Sequence, residues 1–378
     1  MRDETKNYKI KLKPISPIHI GTGEAYEPMN YVIDVDLKDG KDYMYVFDEF
    51  EFFKKLDDKS KDEFMKIASD TTGDGILKLQ KFIKEKSSLA KKVSYYKMQA
   101  LKNIAEDYDN KIGKVVQREG GGKKVINQLV IEKTRARRFF EPNTEIRKKV
   151  INQLVIEKTL ISPNLKKAII PGSSLKGAIA TAFWEMKVID EEQQYNDVKK
   201  IMSATNRKNP FSHLLISDSK IIKSSTFIDI AKNIKRNKIS KDGLSVAHEV
   251  ISTESEFEVG LVIKNNAIKI EDIKNACNDH YLPIFESQFD DKTDKFIKKE
   301  LENEFIKKYM NFKPAGNQFL LRVGKHSGAR AVTVDGERKI LIMQGKGKKP
   351  KILEEETTAW LINKQPFGWL LCEILEEN

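Results

Sequence analysis

The sequence predicts an α+β protein built on a pair of ferredoxin-like, four-stranded sheets, with a helical insertion and glycine-rich loops between the elements. Two observations carry that prediction. Short segments with a period of two alternate irregularly with segments of helical spacing and show no regular βαβ repeat. The 378 residues also exceed what one ordinary core holds, which points to two compact domains. The expected division is residues 1–185 and 186–378. The first part carries a helical insertion at about 50–110 and a duplicated segment at 123–159, and the second carries a helical insertion of its own.

Residues 8–15 place Tyr8, Ile10 and Leu12 on one face and Lys9, Lys11 and Lys13 on the other, the signature of a half-buried strand. Ser16-Pro17-Ile18-His19-Ile20-Gly21-Thr22-Gly23 reads as a strand end entering a glycine turn. Residues 31–36 and 43–47, split by Lys38-Asp39-Gly40-Lys41, form a predicted hairpin. From Phe50 to about Asp107 the apolar positions Phe53, Leu56, Phe64, Ile67, Phe82 and Ile83 take helical spacing among many charges, a pattern that suits a solvated helical face.

Residues 123–134 (Lys-Lys-Val-Ile-Asn-Gln-Leu-Val-Ile-Glu-Lys-Thr) recur letter for letter at 148–159. Two copies are too few for a solenoid. One copy is expected in a strand slot and the other, beside Arg135-Ala136-Arg137-Arg138, in a peripheral excursion. Ile170-Pro171-Gly172 then opens a helix through Ala178, Phe183 and Trp184. Further strands are predicted at 214–217, 224–228, 256–263, 317–323, 339–343 and 368–375, with helices at 271–278 and 292–310.

Lysine and arginine total 68 against 56 acidic residues, a formal charge of +12, which favours a polyanionic partner but equally fits a lysine-rich composition. The two cysteines, Cys277 and Cys372, stand apart without a histidine pair, so neither a disulfide framework nor a zinc cluster is expected. The N-terminal residues are charged rather than apolar, which argues against a signal peptide and for a cytoplasmic protein. No metal site, cofactor or catalytic constellation is expected, and His213, His248 and His280 read as isolated.

Three glycine motifs are candidates for anion binding. Gly172-Ser173-Ser174-Leu175-Lys176-Gly177 offers close backbone approach, free helix amides and a lysine, or else is a plain helix cap. It lacks the order of a Walker loop. Gly324-Lys325-His326-Ser327-Gly328-Ala329-Arg330 leaves a strand with two cations for phosphates and a histidine that can stack on a base. His19 beside Gly21 and Gly23 reads either as a satisfied buried histidine or as an RNA contact. Gln344-Gly345-Lys346-Gly347-Lys348-Lys349-Pro350-Lys351 is a phosphate clamp or a hairpin tip.

Taken in order, these motifs are recognisable. Residues 12–23 resemble the opening strand and turn of the RAMP proteins of CRISPR systems, residues 170–179 their internal glycine motif, and residues 324–333 their late glycine-rich segment. With Glu356-Thr357-Thr358-Ala359-Trp360-Leu361 and Pro366-Phe367-Gly368-Trp369, the pattern is most similar to the fifth-subunit family of type III-A Csm effector complexes. It departs from that pattern in the doubled segment and in Ala180, where relatives often carry a basic residue.

The resemblance implies two RRM-like domains in a non-catalytic subunit that binds the guide RNA backbone near its 3′ end and assists guide maturation in antiviral defence. The implied partners are guide RNA, other Csm-complex subunits and host nucleases. The alternative is a metal-independent RAMP endoribonuclease that processes CRISPR precursor RNA, using His19 or His326 on the 2′-OH.

Overall fold

The computed structural model describes residues 5–70, 73–114, 117–118, 124–125, 154–189, 194–202, 209–236, 245–342, 349, 351–353 and 355–377. The predicted alternation at the start becomes strand β1 (Thr5–Pro14), with Tyr8, Ile10 and Leu12 buried. After it come β2 (Gly21–Tyr26) and the predicted hairpin, β3 (Tyr31–Val35) and β4 (Asp42–Phe47). The hairpin turns at Gly40, whose φ of 68° suits a residue without a side chain.

The charged insertion contains α1 (Glu49–Lys54), α2 (Asp58–Ala68), α3 (Gly73–Glu85) and α4 (Ser87–Val93). It is not helical throughout, because β5 (Ser94–Ala100) precedes α5 (Lys102–Lys111). In that strand Met98 and Ala100 are buried on one face, a period of two hidden in sequence by Lys97 and Gln99.

Next come β6 (Ile156–Thr159) and the long helix α6 (Gly172–Ile189), followed by β7 (Leu214–Ile216), β8 (Thr226–Lys235), β9 (Ser245–Ile251) and β10 (Glu256–Lys264). Helix α7 (Ile270–Ser287) runs well beyond its predicted end. The helix expected at 292–310 is two short pieces, Lys295–Lys298 and Asn303–Tyr309. They part at Glu302, which is extended and donates its N–H to the Lys364 carbonyl. Strands β11 (Gln318–Arg322), β12 (Thr358–Ile362) and β13 (Trp369–Glu377) complete the chain.

The first sheet runs β7-β10-β1-β13-β11 and is antiparallel throughout. Taken as β1, α6, β7, β10, α7, β13, it has the connection order and strand order of a ferredoxin-like unit, with β11 added at its edge. Helices α6 and α7 cover it through Leu175, Ile179, Phe183, Ile273, Tyr281 and Phe285, which pack with Ile10, Leu261, Phe319 and Trp369 in the largest core.

The second sheet is mixed rather than ferredoxin-like: β2-β6-β9-β8-β5-β4-β3, with β12 against the far end of β8. Strands β8 and β5 pair in parallel, as do β9 and β6. The β3–β4 hairpin is covered on both faces, by Met98, Ile104 and Tyr108 on one and by Phe52, Leu79, Phe82 and Ile83 on the other. That double burial explains the unbroken apolar run Tyr31-Val32-Ile33.

Residue 185, the expected division, lies inside α6, and the first sheet joins β1 from one side of it to β7, β10, β11 and β13 from the other. Among the described residues, no helix is long and apolar enough to cross a membrane.

Candidate nucleic-acid interface

The segment after β1 cannot continue the ladder through Pro17, which lacks an N–H. It becomes a junction between the two sheets. Ser16 accepts the Trp369 N–H on its hydroxyl at 2.9 Å, and the Pro17 carbonyl accepts the Gly368 N–H at 2.9 Å. Ile18 exchanges two backbone bonds with Ile251 of β9, at 3.1 and 2.7 Å. The His19 carbonyl accepts the Lys325 N–H at 2.9 Å and the Ile20 carbonyl the Leu160 N–H at 2.8 Å. Leu160 in turn accepts from Ile169, just before α6. Motifs far apart in sequence are thus stitched to one irregular segment of five residues, Ser16 to Ile20.

Gly324 is fixed by this arrangement. Its φ is 85°, and a Cβ built on it would lie 2.4 Å from the His19 carbonyl oxygen. Gly172 makes a similar close approach, with its Cβ position 2.2 Å from the Ile216 oxygen. Both glycines serve packing of backbone on backbone.

The N-terminus of α6 is partly satisfied from within. Asp218 accepts the Gly172 N–H at 2.9 Å, and its carboxylate suits the positive end of the helix. Lys176 donates to the Leu214 carbonyl at 2.7 Å, and burial lowers its pKa. What faces outward is Ser173 and Gly177, with Ser174 half-buried and nothing within 4 Å of the Gly177 Cβ position. Gly21, Thr22 and Gly23 are also exposed, and Gly23 (φ 78°) has open space around it.

The late glycine loop is more deeply engaged than its sequence suggests. Lys325 pairs with Glu157, and the Ser327 hydroxyl donates to the Gly324 carbonyl at 2.7 Å. His326 (φ 65°) stacks on Trp360 with ring centroids 4.3 Å apart. A Cβ on Gly328 (φ 84°) would meet the Glu356 carboxylate at 2.7 Å. Arg330 is committed to Asp294, with a further bond to Ser287 at 3.1 Å, while its backbone N–H is held by Glu356 at 2.7 Å. Arg330 and Lys176 therefore neutralise or cap internal groups, rather than standing free for phosphates.

Two of the three histidines expected to be isolated, His280 and His248, are not. His280 Nδ1 lies 2.7 Å from Glu185. His248 lies beside both His19 and His326, with ring centroids 4.7 and 5.0 Å away. Glu157, from the second copy of the repeat, reaches the same place from β6, while most of the first copy falls outside the described residues, as do Arg135, Arg137, Arg138 and residues 344–348. So the duplicated segment, uninformative as a repeat, supplies a carboxylate to the junction.

Burial is the main force on these groups. It lowers the pKa of His19, brings His248 down to about 4 and His326 to about 3. At Glu157 burial pushes the other way, but the hydrogen bond from Lys325 and the neighbouring His248 hold the carboxyl below its ordinary value. Behind it Glu249, raised by burial, accepts from Tyr96 at 2.7 Å and Tyr26 at 3.1 Å.

The result is a polar junction whose exposed rim includes Gly21, Thr22, Gly23, Ser173 and Gly177. Positions without side chains let a phosphodiester backbone approach closely without reading base edges. No curated protein matches the chain in sequence. Over 97% of its length the chain superposes on all of a chain from a Csm–crRNA–target RNA ternary complex of a type III-A CRISPR-Cas system, at 16% identity and a TM-score of 0.59. It likewise covers all of Csm5 from T. onnurineus, with 97% of this chain, 14% identity and a TM-score of 0.53. The sequence model of the RAMP superfamily matches residues 11–324, which contain the first two glycine motifs and end on the first residue of the third, and on that match the chain belongs to the RAMP superfamily.

Proposed function

We propose that this chain is a non-catalytic, RNA-binding subunit of a type III-A CRISPR effector complex, lying on the guide RNA backbone near its 3′ end. Its partners in this reading are the guide RNA and other Csm subunits, and its role extends to guide maturation. The observation that carries the reading is the convergence of the motifs at 16–23, 170–177 and 324–328 on one junction with an exposed, glycine-bearing rim, in a chain of charge +12. The full-length likeness to a chain from an RNA-bound Csm complex supports it.

The state of the histidines supports a binding role over cleavage. His19 and His248 are wholly buried, and a ring that stays neutral down to about pH 3, as at His326, is a poor proton donor at neutral pH.

The test is a ribonuclease footprint of the guide in particles reconstituted with and without this chain. Omitting it should expose several nucleotides at the 3′ end of the guide while protection elsewhere persists. An unchanged footprint would contradict the reading.

A further inference from the structure

Two of the five histidines meet one carboxylate at the junction, and their ring orientations are what metal ligation requires. His19 Nδ1–H donates to the Glu249 carbonyl at 2.7 Å, and His248 Nδ1–H to the Val246 carbonyl at 3.0 Å. These bonds fix both rings as tautomers with a bare lone pair on Nε2, the second-shell arrangement common to metal-bound histidines. Both Nε2 atoms face Glu157, whose Oε2 lies 3.6 Å from that of His19 and 3.4 Å from that of His248.

His19 Nε2 supplies an independent sign. The residue is fully buried, yet among the described residues this atom has no hydrogen-bond partner. A buried polar atom left so is costly, and a purely structural histidine would have found a donor. Space is kept open beside it, since a Cβ on Gly21 would come within 3.3 Å of Nε2. His326 stands beside the group, its Nε2 in hydrogen-bond reach of that of His248 at 3.1 Å. A zinc ion with Zn–N bonds of about 2.0–2.1 Å has tetrahedral edges of about 3.3 Å. The separations of the two Nε2 atoms from Glu157 Oε2, 3.4 and 3.6 Å, lie close to that edge.

We propose that His19, His248 and Glu157 form a site for a divalent transition-metal ion of the zinc class. Neutral imidazoles and an ionised carboxylate are the protonation states the surroundings already favour. Binding asks two adjustments. His326 gives up its hydrogen bond to His248 Nε2, and Lys325, half-exposed, yields the Glu157 oxygen it now holds. Three ligands from three distant segments, the Ser16 to Ile20 junction, β6 and β9, would then be tied together by one ion. The inference stands apart from the RNA-binding reading, since no ligand is assigned to RNA contact in it.

The experiment uses the full chain stripped with EDTA. Zinc affinity is measured by competition with a chromophoric chelator, and coordination by the visible spectrum of the cobalt(II) form. One ion per chain, a tetrahedral cobalt spectrum and a melting temperature raised on the order of 3 °C at a hundredfold excess over Kd are expected. Glu157→Gln, at a partly exposed position that should not impair folding, and His248→Asn should each weaken binding at least roughly tenfold. Glu132→Gln, the same letter in the other copy of the repeat, should leave binding unchanged. The proposal is overturned if no stoichiometric ion binds, if binding survives Glu157→Gln and His248→Asn, or if Glu132→Gln abolishes it.

Discussion

Gly324→Ala should destabilise the chain by about 3–4 kcal/mol, placing it among the most damaging single-methyl changes available in the fold. A left-handed backbone costs a residue with a Cβ roughly 1–3 kcal/mol. Here the Cβ would also stand 2.4 Å from the His19 carbonyl, so the loop must retreat and its Lys325 N–H bond to that carbonyl is lost, at about 1 kcal/mol more. Gly23→Ala is the internal comparison. Its φ of 78° carries a similar backbone cost, but nothing lies within 4 Å of its Cβ position, so only about 1 kcal/mol is expected. Thermal melts of the two variants check this, and a Gly324 variant no less stable than the Gly23 variant would contradict the packing described.

Arg330→Ala should cost about 3 kcal/mol or more, through the acid it leaves behind. Asp294 is 1% exposed, and the guanidinium of Arg330 is its main partner. Arg236 is more distant, at 3.6 Å, and Ser287 offers one hydroxyl bond. Removing one member of a buried pair is far more harmful than removing both, so adding Asp294→Asn to the Arg330 variant should recover part of the loss. RNA affinity per folded molecule and its salt slope should stay unchanged. A free phosphate contact behaves oppositely: its loss leaves stability intact and flattens the salt slope by about one unit. A stable Arg330 variant with a flattened slope would restore the phosphate role suggested by sequence.

That contrast shows where sequence reading succeeds and where it stops. Elements with one buried face are legible, as β1 is by its alternation and α6 by its apolar stripe, and the doubly covered β3–β4 hairpin is legible by its glycine turn. Strand β9 is hidden because His248 and Glu249 interrupt its apolar run, and both are buried by partners on other strands. The glycines at 172 and 324 are recognisable as special, and in the structure backbone comes close to both. The charges at Lys176 and Arg330 are only half legible, because a sequence displays a cation without the carbonyl or carboxylate it already serves. The cluster of His19, Glu157, His248 and His326 is invisible in one dimension, as its members come from four separate segments.

The central claim is that the junction's exposed rim, and not its buried charges, meets RNA. Ultraviolet crosslinking of guide RNA in the assembled particle, read by mass spectrometry, tests it most directly. Crosslinks are expected in peptides containing residues 21–24 and 173–177 and at Lys325, with none at His19 or Arg330. Crosslinks confined to the helices α1 to α4, or their absence from all three rim segments, would contradict the account.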